Sequence, residues 1–215
     1  MLQTGPIPEP VSAAPMARIE PFAARTRVAY LSMEIALEPA VHTYSGGLGV
    51  LAGDTALSAA DLSLPMVFVT LVTRQGYFRQ VIDSVGRQQE EPDPWDPAEF
   101  AVPLGALVSV TIERRTVWVR PWLYTLTSPT GGTVPVLLLD TNLEQNDARD
   151  RNITDHLYGG DQAYRLKQEI VLGIGGCRAL QALGFDIQTF HMNEGHAALL
   201  TLELLARFRR EHGRQ

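Results

Sequence analysis

The sequence predicts an α/β fold, a largely parallel sheet flanked by helices and carrying an antiparallel β insertion. Three observations carry this reading. Residues 28–72 run strand, glycine-rich turn, helix, proline, strand, the rhythm of a βαβ unit. Residues 108–139 hold short β-rich runs divided by turn residues. From Asp161 onward apolar residues return at three- and four-residue spacing, the period of a helix.

Each element follows from its own residues. Val28–Ser32 (VAYLS) is a short apolar run suited to a buried strand. Residues 48–62 form an alanine-rich helix whose expected inward face carries Leu48, Leu51, Thr55 and Leu62. Leu64-Pro65 ends it, and 66–72 (MVFVTLV) is a second buried strand. Val108–Ile112, 116–120 and 134–139, with turns at 113–115 and 129–132, read as an antiparallel meander. Leu166, Ile170, Ile174, Cys177 and Leu180 then make one apolar stripe that runs on to Leu183. Gly173, Gly175 and Gly176 interrupt it at about 1 kcal/mol each relative to alanine, and close approach of another backbone is the simplest compensation. A short strand over 187–191 and an amphipathic helix over 197–210, with Leu199, Leu202, Leu205 and Ala206 inward, complete the chain.

Composition narrows the function classes. The 215 residues suit one sizeable domain, and a formal net charge of −6 argues against a nucleic-acid or anionic-membrane partner. Cys177 is the one cysteine, so no internal disulfide forms. Residues 1–22 hold four prolines between Pro6 and Pro15 but no basic or apolar secretory segment, and read as a flexible leader. No apolar run approaches the ~18 residues of a membrane span, so the expected compartment is the cytoplasm. Of the 18 basic residues only Lys167 is a lysine; it falls off the apolar stripe and is expected on the surface.

Three constellations can carry chemistry, the third being the polar, turn-rich run 140–169, which reads as a surface loop with possible ligand contacts. In YSGGLGVLAGD (44–54), Gly46, Gly47 and Gly49 open a helix, where unpaired N–H groups and the helix dipole favour an anion and the missing Cβ atoms let it approach. The same glycines also suit a tight turn that only packs helix on strand. A dinucleotide fingerprint is disfavoured, because some fourteen residues separate Ser32 from Gly46 and no acidic residue follows Val72. In HMNEGH (191–196), Asn193, Glu194 and His196 gather an amide, a carboxylate and an imidazole where a strand gives way to a helix. The H-x-x-E-x-H spacing with a glycine inside breaks the one-face geometry of a zinc helix, so no metal is expected. An Asn/Glu pair capping the last helix is the simpler alternative. Cys177, on the inward stripe, reads as a core residue and not a nucleophile.

Taken in order, YLSMEIAL (30–37), YSGGLGVLAGD (44–54), RQGYFRQ (74–80), LLLDTN (137–142), DHLYGGD (155–161), RLKQEIVLGIGG (165–176) and HMNEGHAAL (191–199) resemble the α-glucan (glycogen, starch, maltodextrin) phosphorylase family, chiefly its short prokaryotic branch. The resemblance implies that residues 23–215 are part of the N-terminal Rossmann-like lobe of a two-lobed, GT-B type glycosyltransferase whose second, cofactor-carrying lobe is absent here. It implies a reaction in which phosphate takes the glucosyl unit from the non-reducing end of an α-1,4-glucan and gives glucose 1-phosphate. Gly46, Gly47, Leu48 and Gly49 would bind phosphate and the glucosyl unit; Glu34, Asn193, Glu194 and His196 would line the glucan cleft. The family uses pyridoxal 5′-phosphate, but its Schiff-base lysine has no counterpart in this chain, so no catalytic residue is assigned and the piece alone is expected to be inactive. The family includes allosteric enzymes, and the full-length form is able to pair as a homodimer. Thr73 departs from the aromatic residue usual at its position, and Leu57 from a basic one. Two other readings are a non-catalytic glucan-binding or partner-lobe module, and a nucleotide-sugar glucan synthase lobe, whose entry loop also resembles GGL.

Overall fold

A computed structural model describes residues 13–213. In chain order its elements are α1 (Ala13–Arg25), β1 (Val28–Ser32), α2 (Gly47–Asp61), β2 (Met66–Leu71), β3 (Arg79–Ile82), β4 (Gln88–Glu91), β5 (Val102–Pro103), β6 (Val108–Ile112), β7 (Arg115–Thr127), β8 (Thr133–Asp140), α3 (Ala148–Arg151), α4 (Gln162–Ile170), α5 (Gly176–Ala182), β9 (Thr189–Asn193) and α6 (Leu200–His212). A π-helical turn over Val171–Gly175 joins α4 to α5.

The fold is mixed α/β, as the sequence predicts. Seven strands form the main sheet, ordered β5-β7-β8-β2-β1-β9, with β6 also paired to β7. β8, β2, β1 and β9 are mutually parallel, and β7 turns back antiparallel along β8. Numbered as they occur in the chain, the four parallel strands lie in the order third, second, first, fourth, the half-order of a doubly wound dinucleotide-type sheet. The direction of winding therefore reverses between β1 and β9, where Ser32 pairs with Asn193 at the carboxyl ends.

Alternating strand residues feed two cores. Ala29, Leu31, Val67, Val69, Leu137 and Leu139 point to the face covered by the helical run 162–182. Tyr30, Phe68, Val136 and Leu138 point to the face covered by α2. Burial on both faces explains why these strands read as continuous apolar runs.

Several expectations need correction. The predicted leader boundary at residue 22 falls inside α1, whose Ile19 is fully buried and whose Phe22 packs on the core; residues 1–12 lie outside the described residues. α2 packs through Gly49, Ala52, Gly53, Ala56, Ala59 and Ala60, while Leu51 and Leu62, expected inward, are exposed. Small residues let the helix approach the sheet closely, so the side without leucines is the one buried. In α6 the inward residues are Leu200 and Glu203, and Leu202 and Leu205 face out. Leu166, assigned to the apolar stripe, is also exposed. The glycine expectation holds at Gly173: a Cβ there would lie 2.6 Å from the Leu200 amide nitrogen.

Candidate functional site

The carboxyl ends of β1 and β9 deliver the predicted residues to one place. The loop after β1 carries Glu34, whose side chain is buried although it bears a carboxylate. Its Oε2 accepts the Ser45 amide at 2.6 Å and the Gly46 amide at 3.1 Å. Its Oε1 accepts the Tyr158 hydroxyl at 2.9 Å. An acidic side chain thus ties down the entrance of the glycine loop through charge-assisted bonds.

Gly46 is the N-cap of α2 and has extended backbone, so no side chain caps the helix. The amides of Gly47, Leu48 and Gly49 fall in its first turn, where no intrahelical acceptor exists. A Cβ built on Gly46 or Gly47 meets nothing within 4 Å. One built on Gly49 would lie 2.5 Å from the Tyr44 Cβ and 2.8 Å from Glu34 Oε2, and one on Gly53 would run into the Ala36 carbonyl oxygen. The open and packed sides of the loop are therefore held by different glycines.

Asn193 ends β9, is buried, and donates through Nδ2 to Ser32 Oγ at 3.0 Å. The capping alternative is not what forms: neither Asn193 nor Glu194 makes a side-chain cap to the turn Gly195–Ala197 that follows. Glu194 sits at φ 70°, ψ 176°, a region otherwise nearly confined to glycine and costing on the order of 1–3 kcal/mol. His196 follows in that turn, its ring 5.3 Å from the Tyr158 ring, with Nδ1 buried and lacking a hydrogen-bond partner. Tyr158 therefore links the Glu34 and His196 groups. Burial, reinforced by the negative charge of Glu34, pushes its phenol well above the usual tyrosine range.

His191 takes no part in that cluster; it stacks on Tyr30 with ring centroids 4.4 Å apart. Among the described residues no group of three or more His, Cys, Asp or Glu side chains could hold a metal ion. No helix of the described residues is long and apolar enough to cross a membrane. Lys167 is held in an ion pair, with Nζ 2.9 Å from Glu113 Oε1.

Sequence reading gave no individual site role to Tyr158 or to the pair Arg74–Asp140. Arg74 follows β2, Asp140 ends β8, and their side chains form a salt bridge that also receives Trp122 Nε1 at 2.9 Å. Position at the carboxyl ends of parallel strands is the signal that could have found this pair.

The strand order and the glycine loop beside its reversal point give the class: a mixed α/β fold compatible with a Rossmann-like lobe. No protein-family profile matches the chain. It is 40% identical over 191 residues to the maltodextrin phosphorylase of Thermococcus litoralis, covering 86% of this chain and 22% of that protein. It is 41% identical over 191 residues to the glycogen phosphorylase of Mycobacterium tuberculosis, covering 83% and 22% respectively. The glycogen phosphorylase of Aquifex aeolicus is 33% identical over 183 residues, covering 81% and 26%. The chain is thus a homologue of the α-glucan phosphorylases, and it spans about a quarter or less of the length of these relatives.

Proposed function

We propose that the chain serves as part of the first lobe of a two-lobed α-1,4-glucan phosphorylase, with a second lobe supplying the other wall of the cleft. In that reaction an oxygen of inorganic phosphate bonds to C1 of the terminal glucosyl unit. The bond from C1 to the glycosidic oxygen breaks, and that oxygen, left on C4 of the shortened glucan, takes up a proton. The product is glucose 1-phosphate.

The observation that carries this reading is the asymmetry of the glycine loop. Space lies open over Gly46 and Gly47, while Gly49 and Gly53 are packed tight. The amides of Gly47, Leu48 and Gly49 are fixed before any ligand arrives, so hydrogen bonds to an anionic phosphate or a glucosyl oxygen cost little reorganisation. Glu34 keeps the entrance of the loop in that shape. Asn193 holds the two strand ends together, and Glu194 lies exposed beside them on the glucan side.

Pyridoxal 5′-phosphate, when bound in this family, supplies a phosphate that exchanges a proton with the substrate phosphate. The residues of this chain do not fit as its anchor, because Lys167 is committed to Glu113. No step is assigned to this chain through that group. The polypeptide alone is accordingly a binding lobe without turnover. The test mixes the purified chain with glycogen, phosphate and pyridoxal phosphate; no glucose 1-phosphate is expected, and its release overturns the assignment.

A further inference from the structure

A pocket of about 300 Å³ lies on the tyrosine side of the glycine loop, sharing Tyr44 and Ser45 with it. Its walls include His42, Tyr44, Tyr77, Phe78, Gln80 and Asp93. Tyr44 and Tyr77 are 40% and 41% exposed, large values for rings that could have been buried. Tyr77 and Phe78 lie against each other with centroids 4.1 Å apart. The volume is at the small end of ligand sites, which run from roughly 300 to 1,000 Å³.

The walls are built and held. His42 Nδ1 lies 2.8 Å from the Asp93 carbonyl oxygen and 3.3 Å from its Oδ2. The Thr73 hydroxyl donates to the His42 carbonyl at 3.0 Å, and Trp95 Nε1 donates to the Thr73 carbonyl at 2.9 Å. Gly76, at φ 60°, lets the chain turn between them: a Cβ there would lie 2.9 Å from the Asp93 carbonyl oxygen and 3.1 Å from the His42 Cβ.

The chemistry of the walls selects a ligand class. No arginine or lysine lines the pocket and a carboxylate does, which disfavours phosphates and other anions. An aliphatic ligand would leave unused the Gln80 amide and the hydrogen-bonding capacity that His42 and Asp93 keep beyond their mutual contact. Exposed aromatic faces beside neutral and acidic hydrogen-bonding groups suit a neutral polyol with apolar C–H faces, which is a saccharide. We propose that this pocket is an accessory saccharide subsite, holding glucosyl units of a chain that also passes the glycine loop. The α-1,4 linkage of that ligand and its path past the glycine loop rest on the function proposed above. The pocket adjoins the loop through Tyr44 and Ser45, so one oligosaccharide can reach both.

The test records amide shifts of the isotope-labelled chain during titration with maltoheptaose, with cellohexaose as the β-linked control. Shifts are expected at Tyr44, Tyr77, Gln80 and Asp93, and Tyr77→Ala and Gln80→Ala are each expected to weaken binding roughly tenfold. Both side chains are exposed, so an unchanged melting curve separates lost binding from lost folding. Maltoheptaose shifts confined to Gly46–Gly49 overturn this subsite and leave the phosphorylase reading standing. Shifts in the pocket without any at the loop support the subsite and count against the loop assignment. Pocket shifts with cellohexaose but not maltoheptaose keep a saccharide site and reject the α-glucan reading. Affinity unchanged in both variants, or no shift with either sugar, overturns the proposal.

Discussion

The Tyr158 hydroxyl donates to Glu34 Oε1 at 2.9 Å, joining two loops 124 residues apart at the mouth of the parallel sheet. The same carboxylate holds the glycine loop, so the bond couples the His196 turn to the glycine-loop end of α2. Tyr158→Phe keeps the ring but leaves Glu34 one donor short, which is expected to cost about 1–3 kcal/mol at neutral pH. The pH dependence has a definite sign. The phenol is raised above its ordinary 10.0 in the folded state, so its stabilisation is full below that value and lost as pH rises past it. Denaturant titrations at neutral and alkaline pH should show a shallower alkaline loss in Tyr158→Phe than in the parent. Equal slopes would mean that Tyr158 does not titrate on unfolding.

How much of this was legible in the sequence depends on what each element packs against. β1 and β6 were read to the residue, because a strand buried on both faces, or a strictly alternating one, has few alternatives. β7 runs over Arg115–Thr127, well beyond the 116–120 that the β-rich run alone marks. Pro121 falls where the same edge passes from pairing with β6 to pairing with β5, a place where a missing N–H is tolerated. β9 begins two residues later than expected and ends in His191, Met192 and Asn193, an edge strand carrying site residues in place of apolar ones. The helix faces of α2 and α6 were misread because leucines were assumed to point inward. Of the site, the glycine loop and Asn193–His196 were visible as local motifs, whereas Tyr158 becomes meaningful only through a contact 124 residues away.

The glycines of the loop differ in what they face, open space at Gly46 and Gly47 and packed atoms at Gly49 and Gly53. Gly53→Ala sets a methyl group against the Ala36 carbonyl and is expected to cost about 1–3 kcal/mol. Gly47→Ala meets open space and should stay within about 0.5 kcal/mol of the parent while weakening phosphate binding. Thermal melts with and without phosphate check both. A destabilised Gly47→Ala that still binds phosphate would reverse the roles given to the two sides of the loop.

Asp150, buried, accepts two bonds from Arg115, at 2.8 and 2.9 Å. The guanidinium holds its carboxyl below the usual 3.8, so the stabilisation is present above that pH and lost as pH falls through the folded-state value. Asp150→Asn should therefore be less stable than the parent near neutrality, and the gap should close in acid. Urea titrations at ~pH 7 and ~pH 3 measure it; a gap that stays constant would assign the effect to shape and not charge.

Burial, with a smaller contribution from the Glu203 charge, pushes the Cys177 thiol up to about 11. The thiolate is the reactive form, so the native chain should resist thiol reagents near neutral pH and become labelled at the rate of opening. Labelling in native buffer is expected to be slow, and fast in denaturant. Rapid native labelling would show that the helical run 162–182 opens locally.

The outward leucines bear on how the chain behaves in solution. On α2 and its C-cap, Leu51 is 57% exposed and Leu62 70%; on α6, Leu202, Leu205 and Phe208 are each about half exposed. The burial of α2 through alanine and glycine leaves its larger side chains without a covering layer. Exposed apolar side chains of this kind favour association. The chain is expected to self-associate with rising concentration, and sedimentation velocity reads the fraction associated. Leu51→Gln with Leu62→Gln removes apolar area from an exposed face and leaves the alanine side intact, so melting should change by no more than about 0.5 kcal/mol while association falls. Leu202→Gln with Leu205→Gln tests α6 in the same way. If neither pair reduces association, the contact lies elsewhere, and the exposed hairpin side chains Ile82 and Val85 become the next to change.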